Sequence, residues 1–471
     1  MANRNLLFFT LIVFKALGAG ALFAEESSGR MKLSPDEAVD LAIRNNLSLE
    51  IERINTDTKK RAADYIWNRF LPNVGLSGGI NFNSQNSSVS GDFQAPGQTK
   101  QTQTVSATGF QGQVQAQLAI NLALFEGIKS VKLDYQTGLL SLEQAKLQLE
   151  RDVRKAYYNI MLVEKQLNQL EESLRNAEQQ RQSAEDQYKA GRQPELSYLQ
   201  AQVKVETMKP SVDQAANGLR LAKSNFAMTL GLPLDTDFEL LLPVDGTRYI
   251  PLDTQSLVKQ AKENNPDILM RKQQLRTLMS QRKAQAYQKT TPNLSLGWTG
   301  GMSSNGSNTG VESNLSNKTT INQNSMSTNT SFTLGLSWTA TNLLPFSADA
   351  QSIKDLDNNI KTLSISIALA EQGAELDINN KVYSLEQIRA NIDAQKAAAG
   401  LAERSYNATL TAYNSGLQSL LQVQDAEEQL RNARLNLYQQ ESNYLQGLID
   451  LEYSIGAPFG TMNDNFEGRK N

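Results

Sequence analysis

The sequence predicts a mainly α-helical chain, duplicated once, in which long antiparallel helices form a hollow cylinder and four β-strands contribute to a membrane barrel. Three observations predict this. Chain punctuation recurs at an offset of about 220 residues. Four segments alternate apolar and polar residues with period two. The longest proline-free segments carry apolar residues at heptad spacing.

Residues 1–24 precede the fold. Arg4, the apolar run from Leu6 to Phe14 and the small residues before Glu25-Glu26 read as a secretory signal, with cleavage after Ala21 or after Ala24. Nine apolar residues interrupted by Lys15 are too few to span a bilayer, and no later stretch approaches the ~20 that a transmembrane helix needs. A membrane, if one is crossed, must be crossed by strands.

Five pairs of punctuation points recur in the same order. Leu33-Ser-Pro-Asp-Glu-Ala-Val39 aligns with Leu252-Asp-Thr-Gln-Ser-Leu-Val258, and Asn45-Asn46 with Asn264-Asn265. Leu71-Pro-Asn73 aligns with Thr291-Pro-Asn293, Tyr188-Lys-Ala-Gly191 with Tyr413-Asn-Ser-Gly416, and Leu230-Gly-Leu-Pro233 with Ile455-Gly-Ala-Pro458. The first repeat therefore occupies 25–233 and the second 252–458, with a linker at 234–251 and a tail at 459–471.

Each repeat opens with a helix. Ser34, Pro35 and Glu37 supply a cap, a first-turn proline and a capping box, and Asp253 caps the second copy. The Asn265-Pro266 step breaks or restarts the second opening helix, because the residue before proline avoids helical geometry.

Beyond Pro72 and Pro292 the period changes to two, giving strands over 73–83, 106–124, 293–302 and 329–341. Phe82 on the first strand and Phe110, Val114, Leu118 and Ile120 on the second make one apolar face. Leu296 and Trp298 on the third, and Phe332, Leu334, Leu336 and Trp338 on the fourth, continue it. The opposite faces hold amides, hydroxyls and glycine, and no charged residue falls within these strands. Soluble sheets alternate too, but uncharged strands of this length with aromatic ends fit lipid on one side and a wet lumen on the other. The polar stretches 84–104 and 303–327 read as loops in water. Four strands cannot close a barrel, so the chain must oligomerise: two copies would give eight strands and three would give twelve, and the small inward residues favour an open lumen.

Long helices follow over 128–190 and 347–415. Leu149, Val153, Ala156, Ile160, Val163 and Leu167 begin a seam of alternating four and three spacing in the first. Leu385, Ile392, Ala399, Tyr406 and Tyr413 fall seven apart in the second. Gly191 and Gly416 turn the chain into return helices over 194–230 and 417–455, and Pro210 should kink the first of these. An opening helix plus a return helix equals one long helix in length, which describes a cylinder of paired helices.

Composition narrows the function. The 471 residues include no cysteine and no histidine, which excludes disulfides, thiolate nucleophiles, serine triads and His or Cys metal sites. No acidic pair stands out from the heptad surfaces, so no enzyme, cofactor or metal is expected. With 46 basic against 49 acidic residues and no long basic block, no nucleic-acid partner is expected either.

In the joint order of these features the sequence resembles the TolC-like outer-membrane efflux protein family, over residues 31–460. The resemblance implies a homotrimer whose twelve-stranded transmembrane β-barrel stands in lipid of the outer membrane above a periplasmic α-helical tunnel. It also implies docking to a periplasmic adaptor and an inner-membrane transporter, for efflux or type I secretion. It places the entrance at the helix tips, with Gly191, Arg192, Gly416 and Leu417 as adaptor-docking candidates. Its acidic constriction positions, six and nine after the second tip glycine, are Gln422 and Asp425 here. Its lock tyrosine is Tyr413, but the arginine expected two after that glycine is Gln418, and the acidic partner is Ser197. The competing expectation is an exported trimeric coiled-coil scaffold or adhesin with no transport role.

Overall fold

The computed structural model describes residues 31–89, 101–241, 249, 251–312 and 318–462. The expected signal segment, the hairpin apices at 90–100 and 313–317, most of the later linker and the tail beyond Met462 lie outside these residues. In chain order the elements are β1 (Met31–Leu33), α1 (Pro35–Asn45), α2 (Leu47–Asp64), β2 (Asn73–Val89), β3 (Gln101–Ile120), α3 (Leu122–Lys189) and α4 (Glu195–Leu230). The linker contributes β4 (Phe238–Leu240), and the second repeat follows as α5 (Thr254–Asn264), α6 (Pro266–Thr290), β5 (Asn293–Glu312), β6 (Lys318–Ser337), α7 (Ala348–Asn414) and α8 (Leu420–Ile455). Among the described residues no helix is long and apolar enough to cross a membrane.

The opening helices break in both copies, including the first, where no proline follows. Asn46 and Asn265 are each the cap between two helices, with side-chain oxygens accepting from Leu49 N and Ile268 N. Their amides reach across to the ends of the return helices, Asn46 Nδ2 donating to Thr229 O and Asn265 Nδ2 to Ser454 O, both at 2.9 Å. An asparagine that caps one helix and ties down another breaks the rod without proline, which is why the first break escaped the sequence pattern. α2 then stops at Asp64, and a short 3-10 turn, Ile66–Phe70, leads into β2.

The sheet runs β2-β3-β5-β6 and is antiparallel throughout. Its strands reach 17 to 20 residues, where three of the sequence ranges held 10 to 13 and the second held 19, and the stretches expected as loops from Ser84 and Ser303 continue as paired ladder. Few apolar residues fall in those upper halves and they keep no alternation, so the period-two signal vanishes while the backbone pairing persists. At the other end, β3 stops at Ile120 instead of 124, where Asn121 caps α3, and β6 stops at Ser337 instead of 341, ahead of a 3-10 turn, Ala340–Leu343.

The helical wall is four helices wide at each level. α2, α3, α6 and α7 pack side by side near the sheet, while α4, α3, α8 and α7 do so farther away. Only α3 and α7 run the full length, about 100 Å at ~1.5 Å per residue. The heptad seam is the packed face: Val153, Ile160, Leu167 and Ala177 are buried on α3, as are Leu385, Ile392, Ala399 and Tyr413 on α7. α4 continues through Pro210 as one helix.

At the waist the linker does more than connect. β4 pairs in parallel with β1, and Tyr157 beneath them places its hydroxyl 2.9 Å from Leu33 O and 2.6 Å from Leu241 O. Tyr157, Phe226 and Phe238 form the aromatic centre of this core. Burial there pushes the Tyr157 hydroxyl well above the ordinary tyrosine range and that of Tyr158 to about 12.

Candidate conduit surfaces and helix tips

The register decides which residues share a face of the sheet. Every pairing in β2, β3, β5 and β6 joins residues of equal parity, so even-numbered residues of all four strands share one face. That face carries Phe82 on β2 and Phe110, Val114, Leu118 and Ile120 on β3. Leu296 and Trp298 on β5 stand beside Leu334 and Phe332 on β6, with Leu336 one step on, and Trp338 follows β6. Phe82, Phe332, Leu334 and Leu336 are largely exposed in the single chain, an arrangement that water penalises and lipid does not. From Val74 to Phe82 the band covers about 27 Å of strand at ~3.4 Å per residue, or roughly 21 Å after a tilt near 40°, close to the height of an outer-membrane apolar band.

A second belt was missing from the sequence reading. Trp67, Phe70, Phe125 and Phe346 are exposed where helices meet strands, and Phe70 packs against Phe125 with ring centroids 5.9 Å apart. With Trp338 they mark the helical side of the band. The signal was legible in principle: these aromatics fall one to nine residues outside the helical-side ends of β2, β3 and β6.

At the far end the two helix hairpins close with the same backbone device. Gly191 and Gly416 adopt φ of 67° and 76°, in the left-handed region that glycine tolerates best. Arg192 N donates to Gln187 O at 2.8 Å and Leu417 N to Ala412 O at 2.9 Å, the long hydrogen bond of a Schellman cap. Both glycines face open space, and Arg192 and Leu417 are exposed beside them.

The sequence-selected residues of the second tip separate into three roles. Tyr413 is 7% exposed within a cluster with Ala184, Ala201, Leu420 and Val423, and its hydroxyl has no hydrogen-bond partner among the described residues. Gln422 is the third residue of a capping box, its Oε1 accepting from Ser419 N at 2.9 Å and Ser419 Oγ at 3.2 Å. Gln418 and Asp425 are exposed, and no hydrogen bond or ion pair to either is recorded among the described residues.

A polar layer that the sequence did not single out lies just behind the tip. Glu427 on α8 accepts from Asn176 Nδ2 at 3.0 Å and Gln180 Nε2 at 3.2 Å, both on α3. Burial pushes its carboxyl above the ordinary range despite those donors and the Lys204 and Arg431 charges. Gln180 Oε1 and Gln424 Nε2 nearby have no partner among the described residues. Among the described residues no group of acidic side chains could hold a metal ion.

A thin sheet with one apolar face, a duplicated helical wall and two glycine-capped tips are the parts of a membrane conduit. The profile of the outer membrane efflux proteins matches residues 38–231 and 257–457, most of both repeats. The chain belongs to the outer membrane efflux protein family. It is similar in fold to the outer-membrane channel OprN, at 17% identity, covering 90% of each chain with a TM-score of 0.67. CusC, described with transmembrane channel formation, gives 17% identity, 93% and 96% coverage and a TM-score of 0.66. The CmeC outer membrane channel of Campylobacter jejuni gives 17%, 90% and 85%, and 0.66. No curated protein matches the sequence. As an outer membrane efflux protein, the chain is a transport channel component of the outer membrane, and its helical part extends into the periplasm.

Proposed function

We propose that three copies close into a twelve-stranded barrel continuous with a twelve-helix tunnel, and that this duct is the exit of a tripartite efflux or type I secretion assembly. The observation that carries the reading is the open sheet. β2 and β6 are its outer strands, and in lipid an unpaired edge costs several kcal/mol per backbone group, so β6 of one copy must pair with β2 of the next. The same closure turns a wall four helices wide into a ring of twelve.

The tips around Gly191 and Gly416 are the docking surface for a periplasmic adaptor, which in turn meets an inner-membrane transporter. Their support is geometric: backbone-capped turns with exposed Arg192, Leu417 and Leu421 project at the end of the bundle. Photocrosslinkers placed at Arg192 and Leu417 in intact cells should capture an envelope adaptor. Capture of only outer-membrane proteins at both positions would remove the assembly reading.

Asp425 supplies one carboxylate per copy near the entrance, and a ring of three favours cations. In planar bilayers Asp425→Asn should lower the cation-to-anion permeability ratio by about threefold or more. An unchanged ratio would leave Asp425 as a solvated helix charge.

A further inference from the structure

The face of the sheet opposite the lipid is built on one repeated pairing. Odd-numbered glycines stand directly across from polar side chains that lie over them. Gln115 is the ladder partner of Gly75, Gln111 of Gly79, Asn305 of Gly109, Asn329 of Gly301 and Ser295 of Gly335. A Cβ built on Gly301 would stand 2.5 Å from Asn329 Oδ1, one on Gly109 2.6 Å from Asn305 Oδ1, and one on Gly335 2.6 Å from Ser295 Oγ. At Gly75 it would stand 3.2 Å from Gln115 Nε2. The amides and hydroxyls therefore occupy the space above the neighbouring glycine, flat against the wall. Serines on the same face bond sideways as well, Ser303 Oγ to Ser327 Oγ at 2.8 Å and Ser295 Oγ to Gly335 O at 3.2 Å. Among the described side chains this face carries no charged residue from Asn73 to Asn83, Val105 to Ala119, Asn293 to Ser307 or Gln323 to Ser337.

We infer that the inward wall of the exit barrel is a charge-blind selectivity element, in which glycine-seated amides and hydroxyls keep the bore wide and neutral. It admits hydrophilic solutes of either sign on equal terms, by size and hydrogen bonding. A solute inside it is hydrated or meets amide dipoles, which serve cations through oxygen and anions through N–H alike. Discrimination by charge then belongs to the periplasmic end. This inference rests on the conduit reading above.

The absence of native cysteine makes a direct test possible, since one introduced thiol per chain is unique. Gln113→Cys places a thiol on the inward face between Ser77 and Gly301, and Leu334→Cys places one on the lipid face. Full-length protein in the outer membrane is treated from outside with membrane-impermeant methanethiosulfonates, one cationic and one anionic. The ratio of their rates at Gln113→Cys should equal the ratio measured on a small free thiol to within about threefold, and Gln111→Asp added to it should raise the cationic preference. A ratio displaced by about tenfold or more without the added aspartate overturns the neutral wall and leaves the conduit standing. No modification at Gln113→Cys, with Leu334→Cys modified, overturns the assignment of faces and the conduit with it. Gln117→Cys, two same-face positions nearer the periplasm, repeats the measurement should the first variant fail to assemble.

Discussion

The two repeats share their backbone and differ in their chemistry. Gly191 and Gly416, and likewise Gly231 and Gly456, are 225 residues apart, so α4 and α8 correspond position by position. The joints are copied closely. Asn46 and Asn265 tie the opening helices to the return helices through equal hydrogen bonds. Gly231 and Gly456, at φ of 71° and 64°, sit against the backbone carbonyls of Asn45 and Asn264. Between the joints the pairs diverge: exposed Tyr188 against buried Tyr413, exposed Gln202 against part-buried Glu427, Ala227 against Glu452. Duplication preserved what the backbone requires and released the side chains to specialise.

The sharpest way to break the comparison is at the joints themselves. Gly231→Ala and Gly456→Ala each force a side chain into a left-handed backbone and against a carbonyl oxygen, so each should cost about 2 kcal/mol or more and block assembly. Equal losses of assembled protein in thermal unfolding would show that the copies are interchangeable here, and a loss at only one position would show that they are not.

Next comes a pair that the comparison treats as unequal. Glu452 is 2% exposed and receives Gly460 N at 2.9 Å and Met462 N at 2.8 Å, which folds the start of the tail over the waist beside Phe459. Truncation by Glu452→Ala leaves two backbone donors without their acceptor and should lower stability by about 2–3 kcal/mol. The corresponding Ala227→Ser should cost less, since it adds one small hydroxyl to a packed site; melting temperatures of the two variants check the order.

The polar layer gives a smaller, pH-dependent effect. The folded chain holds the Glu427 carboxyl above its ordinary value, so it binds the proton more tightly than the unfolded chain does. Its contribution to stability is therefore fully present in acid, declines as pH rises through the interval between the two values, and is level above it. Glu427→Gln should flatten that component, whereas Gln202→Glu on the exposed face of α4 should add none. Melting temperatures of both variants and the native chain between about pH 4 and 8 would show it.

Smallest is the tyrosine pair. Tyr413→Phe removes a buried hydroxyl that has no partner among the described residues and should change stability by less than about 1 kcal/mol, with a gain the expected sign. Tyr188→Phe keeps the ring stacked on Tyr198 and should leave stability unchanged. A large loss at Tyr413 would mean that a neighbouring copy supplies the missing acceptor.

What the sequence revealed follows the same division. Punctuation was legible because glycine, asparagine and proline have few alternatives at a cap, and the apolar face from Val74 to Phe82 was legible because apolar and polar residues alternate there. The upper strands were not, since Ser87 or Asn308 alternates with residues as polar as itself. The β1–β4 pair could not be read from three-residue strands some 200 residues apart. Nor could the cap on Gln422 or the burial of Glu427, because a heptad surface looks alike whether a helix, water or another copy lies against it.

The parity of the ladder has a consequence for how such a chain can change length. Every strand pairing joins residues of equal parity, so one residue added inside β2, β3, β5 or β6 would exchange that strand's faces beyond the insertion, turning phenylalanine and leucine to the polar side and glutamine to the apolar side. Two added together would restore the faces and shift only the stagger. Growth within the paired ladder is thus quantised in steps of two.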